Sequence, residues 1–313
     1  MTIICKGEYM KRKILFLFLM SIILIITFAS CGKKGDYTYE NVDGGIAITG
    51  YSGDDMNVVI PEVINGKNVV EISEGAFDAT LIESVVVPES VTKIGKYAFR
   101  RCGKLTDVTI KGNVEIIKAG TFNFCSVLKN VTLPDTIKTV EDNAFGVSAI
   151  TEITLSDSLV TLGDRAFYDC RSLESVIFGD NVEAVGGACF SGCTALTDIT
   201  FNNSLKTIGE MAFAGCGFTA LDIPNSVEVL ESAVFAECTF AEYTVSSGIK
   251  TIKRQAFADC KELKKIYIPE TVQTIEAEAF SGTKNLVICG VRDSEAEIYA
   301  DTYGFRFEEY NFA

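Results

Sequence analysis

Cysteine has the most chemistry to offer in this chain. There are eleven, and seven of them recur at one spacing: Cys102, Cys125, Cys170, Cys193, Cys216, Cys238 and Cys260. A thiolate can act as a nucleophile, bind a soft metal or form a disulfide, and its neighbours decide which. The chain contains no His. Its absence removes the usual general base near neutral pH and the commonest ligand of transition metals. Cys189 and Cys193 make a single C-x-x-x-C, which without His does not compose a zinc site. The 42 carboxylates are the other reactive class. No pair of them stands apart from the surrounding pattern as a glycosidase pair would, and no G-x-S-x-G or comparable nucleophile motif occurs. Asp54, Asp55 and Asn57 lack the loop spacing and the bidentate Glu of a calcium loop. No metal and no cofactor is expected, and the chain does not read as an enzyme.

What positions the thiols is a repeat. Each of the seven lies three residues after a phenylalanine of the series Phe77, Phe99, Phe122, Phe145, Phe167, Phe190, Phe213, Phe235, Phe257 and Phe280, whose intervals are 22 or 23 residues. The Phe is usually preceded by Ala. The slot that holds Cys elsewhere holds Thr80, Ser148 and Thr283 in the other repeats. A position that accepts Cys, Ser or Thr asks for a small, weakly polar side chain, so a buried column of free thiols is expected. Disulfides are the rival in an exported protein, and coils stacked about 5 Å apart would not exclude them by distance. The column is odd in number, however, and side chains of a parallel ladder point alike. Alkylation without reductant should label the nine thiols other than Cys5 and Cys31; few labelled thiols would contradict the reduced column.

A strict period from about residue 69 to 290 makes one elongated solenoid out of a length that could hold two ordinary domains. Units begin at Val69, Val91, Val114, Ile137, Leu159, Val182, Leu205, Val227, Ile249 and Val272. Triplets such as Leu105/Val108/Ile110, Leu128/Val131/Leu133 and Leu263/Ile266/Ile268 place two residues inward at strand period, predicting strands that stack as one parallel sheet. Ten strands at roughly 4.8 Å give a sheet about 50 Å long. Pro88, Pro134, Pro224 and Pro269 directly follow such triplets and should end the strands. Gly95, Gly163, Gly186 and Gly209 mark a tight bend or positive φ. Where the interval is 22, the missing residue falls in the bend after Phe, as in Phe145 to Ile150, Phe213 to Phe218 and Phe235 to Phe240. The phenylalanines then form a core ladder that fixes coil size.

The order of strand, Pro, apolar residue, Ile-Gly, Ala-Phe, Cys and Leu, as in Val91 to Ile110, resembles the BspA-type leucine-rich repeats of bacterial surface proteins, including surface lipoproteins. The resemblance spans about residues 46–290 in ten copies. It implies a mainly β repeat solenoid, a right-handed coil with a parallel sheet. It also implies adhesion or the binding of a host or matrix partner, with no shared ligand-contacting residue to transfer.

The N-terminus reads as an address. Met10-Lys11-Arg12-Lys13 precedes an apolar run from Ile14 to Phe28, the pattern of a secretory signal over residues 1–30. Met10 reads as the natural start, with residues 1–9 an upstream extension. Phe28-Ala29-Ser30-Cys31 resembles the lipobox of bacterial lipoproteins, which implies cleavage before Cys31 and lipidation of its thiol. A lipid-anchored protein on the outer side of a bacterial cell membrane, exposed at the cell surface, is the expectation. The chain's net charge is -14, and the first thirty residues hold four cations against one carboxylate, so the remainder carries -17. Such a surface repels nucleic acid, which is not expected as a partner.

Residues 31–36 read as the lipidated Cys and a short linker, 37–68 as an N-terminal cap built on a β-hairpin, 69–290 as the ten repeats and 291–313 as a C-terminal cap. In the last, Ser294 and Glu297 have the spacing of a capping box, and Gly304 closes a short helix before Phe305-Arg306-Phe307. A monomer is expected.

The residue between the two inward strand positions must point outward: Val86, Thr109, Thr132, Thr154, Ile177, Thr200, Asp222, Thr244 and Tyr267. From Thr109 to Tyr267 this column is the candidate binding face, a concave surface for a host or matrix protein or a surface glycan, although Thr also suits any exposed strand. Glu115, Lys138, Glu183, Lys206, Glu228 and Lys250 alternate in sign along the stack and should pair between coils. The chain therefore reads as an adhesin-like binding protein. A surface spacer without a specific ligand is the alternative, and a glycan-active enzyme a more distant one.

Overall fold

The computed structural model describes residues 32–310 and Phe312; the expected signal segment, the expected start at Met10 and the expected lipidation site Cys31 lie outside the described residues. The chain winds into coils, each with one strand on a front sheet and a shorter one on a back sheet. A representative coil runs Asp107–Ile110 in front, turns, passes Ile116–Ile117 behind and returns around Phe122. Val108 and Ile110 point inward and are 2% exposed, while Asp107 and Thr109 alternate outward. Coils pair in parallel register, with Val85 opposite Val108 and Val108 opposite Val131.

The recurring Phe is the core anchor. Every ring from Phe77 to Phe280 is buried, and successive centroids lie 4.9 to 5.9 Å apart. Offset stacks of this kind add about 0.5–1.5 kcal/mol each beyond the area they bury. Each Phe N–H also donates to the residue before the next Phe, as Phe77 does to Ala98 O at 2.7 Å and Phe145 to Ala166 O at 2.8 Å. Ala98, Ala144 and Ala166 are fully buried where these backbones meet, which explains the preference for a small residue there.

The ladder begins before Phe77. Tyr51 stacks on that ring at 5.2 Å, Gly45–Tyr51 pairs in parallel with Lys67–Ile72, and Asn57–Val59 pairs in parallel with Ser84–Val87. Segment 37–68 is thus a hairpin cap, Tyr37–Val42 against Gly45–Tyr51, and a first coil in one. Gly32–Lys34, expected to be linker, pairs antiparallel with Tyr37–Tyr39. At the other end, helix α1 (Glu295–Tyr303) buries Ala296, Tyr299 and Ala300, with the Tyr299 ring edge-on to Phe280 at 5.4 Å. Gly304 ends it in the left-handed region at φ 75°. The capping box does not form. Ser294 Oγ donates to Val291 O at 2.6 Å, and Glu297 reaches past it to accept the Asp293 N–H at 2.6 Å. Arg306–Glu309 then adds a parallel strand beside Val287–Gly290.

The expected single front sheet is instead three. One ends at Asn130–Thr132, the next runs from Glu152–Thr154 to Asp198–Thr200, and the last starts at Glu242–Thr244. Residues 219–223 form no strand. The interruptions follow the shortened bends. Strands after the six-residue bends from Phe99, Phe122, Phe167, Phe190, Phe257 and Phe280 all pair with the coil before. The segments after Phe145–Ile150, Phe213–Phe218 and Phe235–Phe240 do not. The short bend Phe77–Ile82 follows the first coil and keeps its pairing. A residue lost from the bend is therefore felt in the strand, while the Phe ladder runs on unbroken across both gaps.

The expected role of the glycines also changes. Gly186 is needed for coil approach: a Cβ there would meet Gly163 C at 2.5 Å and Asp164 N at 2.6 Å. Positive φ falls instead two residues before and two after each Phe, on Tyr97, Arg101, Phe124, Val147 and Arg165 among others.

Candidate binding face

The outward column lies on the front, with Asp222 in a segment that forms no strand. Thr132, Thr154, Thr200, Asp222 and Thr244 are exposed, Ile177 is 53% exposed, and Thr109 and Tyr267 are half-buried. Three members, Thr132, Thr154 and Ile177, meet at the first break in the sheet. There a cleft of about 450 Å³ opens between Val131, Thr132 and Leu133 on one wall and Glu152, Ile153 and Thr154 on the other. Val131 and Leu133, predicted to be inward core residues, are only half-buried, as are Ile199 and Phe201 before the second break. The last strand before each gap lacks the cover that the next coil would provide.

The second gap is bordered by a distant segment of the chain. Asp222, Ile223, Thr244 and Val245 line a cleft of about 410 Å³ that Phe312 also borders. Tyr310 stands edge-on to Tyr267 at 4.8 Å, and Phe312 edge-on to Tyr310 at 4.9 Å. Tyr267, an aromatic member of the column, is thus covered by the chain's own C-terminal segment, and its hydroxyl donates to Glu242 at 3.3 Å.

Sequence reasoning missed a second outward column two residues before the first. Asp107, Glu152, Asp198 and Glu242 are all exposed on the front. The hydroxyl of Thr106 and the amide of Asn130 hold the Asp107 carboxyl below its usual range. The signal was available, because strand period places both i and i+2 on one face. Over the middle coils the bias is strong: residues 139–249 carry 16 Asp and Glu against three Lys and Arg, with Lys129 and Lys138 just before them in the chain.

The thiol column lies inside. All nine cysteines among the described residues are free and buried. The column's thiols donate to Phe carbonyls of the coil before, as Cys102 does to Phe77 O at 3.1 Å, Cys193 to Phe167 O at 3.1 Å and Cys260 to Phe235 O at 3.0 Å. Thr80 and Thr283 donate to Phe77 O and Phe280 O from within their own coils. The slot thus selects a small donor for a ladder carbonyl. Burial pushes the Cys260 thiol up to about 12, and Cys189, Cys216 and Cys238 are raised by burial too. Burial thus favours the neutral thiol at these four positions.

The alternating charge column pairs in part. Lys138 meets Glu115 at 2.7 Å and Lys206 meets Glu183 at 2.9 Å. Lys250 and Glu228 are joined only through backbone, the Lys250 N–H donating to Glu228 O at 2.7 Å. Exposed pairs of this kind contribute about 0–1 kcal/mol.

Stacked parallel coils with an aromatic ladder inside and an alternating outward face define a leucine-rich-repeat solenoid. The family described as BspA type leucine rich repeat region matches residues 70–197 and 185–305 in six copies, and the chain belongs to it. A leucine-rich repeat protein of Bacteroides ovatus is similar in fold, with a TM-score of 0.62 and 22% identity over 90% of this chain and 100% of that one. A leucine rich cell surface protein of Faecalibacterium prausnitzii aligns at a TM-score of 0.46 with 24% identity, over 86% of this chain and 97% of that one. No curated protein matches the chain. Membership of this bacterial surface-protein family is consistent with a binding or structural role.

Proposed function

We propose that the chain is an extracellular, lipid-anchored binding protein that holds a protein or glycan partner on its front sheet. The observation that carries this reading is the cleft between Thr132 and Thr154, where outward side chains and half-covered apolar residues converge at the first break in the front. A concave site with an apolar floor and a few polar groups is the usual form of a binding site. The anchor would be the thiol of Cys31, and labelling with a radioactive fatty acid that is lost on Cys31→Ser tests it separately. The binding claim is tested by probing an array of host matrix proteins and cell-wall glycans with the full chain. Saturable binding to one class is expected; failure to bind any surface would favour a spacer.

A further inference from the structure

We propose that the break between Asn130–Thr132 and Glu152–Thr154 is a slot for an extended peptide segment of a partner protein, bearing Lys or Arg and held by strand addition. This rests on reading the front sheet as the binding face and narrows its partner to a peptide.

The backbone supplies the first reason. Within the middle sheet the Leu155 N–H donates to Ile177 O at 2.9 Å and the Glu174 N–H to Thr151 O at 2.8 Å. Across the break the equivalent bonds, Leu133 N–H to Thr154 O and Thr151 N–H to Lys129 O, are not formed. Two strand edges therefore present donors and acceptors to one cleft, and the group with a matching row is another extended backbone. A sugar offers hydroxyls without that regular spacing.

The side chains supply the second. Val131 and Leu133 alternate along the open edge and leave apolar surface for alternate residues of an added strand. At the other break an aromatic residue of the chain's own C-terminal segment borders the cleft, without a strand pairing there. Tyr310, whose N–H donates to Gly290 O at 2.8 Å, leads to Phe312 at the cleft beside Ile223 and Val245. One gap is thus bordered by the chain's own C-terminal segment, and the other is bare.

Charge selects the partner. Asp135 and Glu152 line the first cleft and no Lys or Arg does. A second copy's terminal segment, with Glu308 and Glu309, is a poor match to that rim. A cationic segment suits it, and the acidic stretch around it would speed encounter.

The test uses the full chain. Amide exchange should be faster at Leu133 and Thr151 than at Leu155 and Glu174 by roughly two orders of magnitude. On an array of random peptides, bound sequences should be enriched in Lys or Arg between alternating apolar residues, and the best of them should slow exchange at Leu133. N-methylation of its alternate amides should abolish binding, and Glu152→Lys should weaken it about tenfold. A Gly inserted after Val147, restoring a six-residue bend, should close the slot and remove binding with the fold retained. If that variant does not fold, the Glu152→Lys and N-methyl results stand alone. Slow exchange at Leu133 in the free protein would overturn the slot while leaving the front-face reading intact. The slot is also overturned by an absence of peptide binders, by indifference to N-methylation, or by neutral oligosaccharides that protect Leu133 where peptides do not.

Discussion

The carbonyl of each ladder Phe sets what the thiol slot can hold. Cys193→Ala removes one of two donors to Phe167 O, which keeps the Cys170 N–H at 3.3 Å, and should cost about 0.5–1.5 kcal/mol in urea unfolding, whereas Cys193→Ser keeps both and should cost less. Val147 holds φ 59° with a β-branched side chain. Val147→Gly should therefore raise stability by about 1 kcal/mol, an effect opposite to that of most Gly substitutions. Asp78 accepts hydrogen bonds from Arg100 and Arg101, each at 2.7 Å from its nearer nitrogen, and these hold its carboxyl near 2 instead of 3.8. A depressed carboxyl stabilises the fold above its unfolded value and loses that contribution as pH falls through its folded one. The difference in urea midpoint between wild type and Asp78→Asn should be present at neutral pH and shrink as pH falls from 3.8 towards 2. At this scale the Phe and Cys columns were legible in the sequence because period alone exposes them. The left-handed columns were not, because residues such as Tyr97, Phe124 and Arg165 occupy them, and only the geometry of the turn imposes positive φ there.

Coil approach is decided by glycines that lie against the backbone of the previous coil. Gly186→Ala should destabilise by about 2 kcal/mol, as overpacking does. Gly103→Ala, whose added Cβ meets nothing within 4 Å, is the neutral control in the same denaturation series. The strands themselves were legible from inward pairs such as Val108 and Ile110. The breaks between them were only half legible. The shortened bend Phe145–Ile150 is visible in the sequence, but its consequence appears only once strand and ladder must share one register. The same holds for the capping box of α1, whose spacing is present while Ser294 spends its hydroxyl on the preceding turn. The acidic front column was legible and overlooked, since alternate residues i and i+2 of a strand share one face and only the second of the two was assigned to it.

As a whole, the molecule is a one-dimensional stack in which each coil is stabilised by its neighbours and the ends need cover. Tyr51 covers one end of the ladder, and Tyr299 with Phe305 the other. Truncation before residue 291 should expose Phe280 and lower both solubility and cooperativity of unfolding. The stack presents one long face, and its middle coils combine a cleft, a threonine column and a strong acidic bias. The most direct measurement of what that face does is an equilibrium titration against whichever partner the array identifies, with wild type beside two triple variants. Thr132→Arg, Thr154→Arg and Thr200→Arg alter the front; Lys96→Glu, Arg165→Glu and Tyr168→Ala alter residues away from the front strands. The account predicts a loss of about tenfold or more for the front variant and little change for the other. Equal losses for both, or unimpaired binding by the front variant, would contradict it.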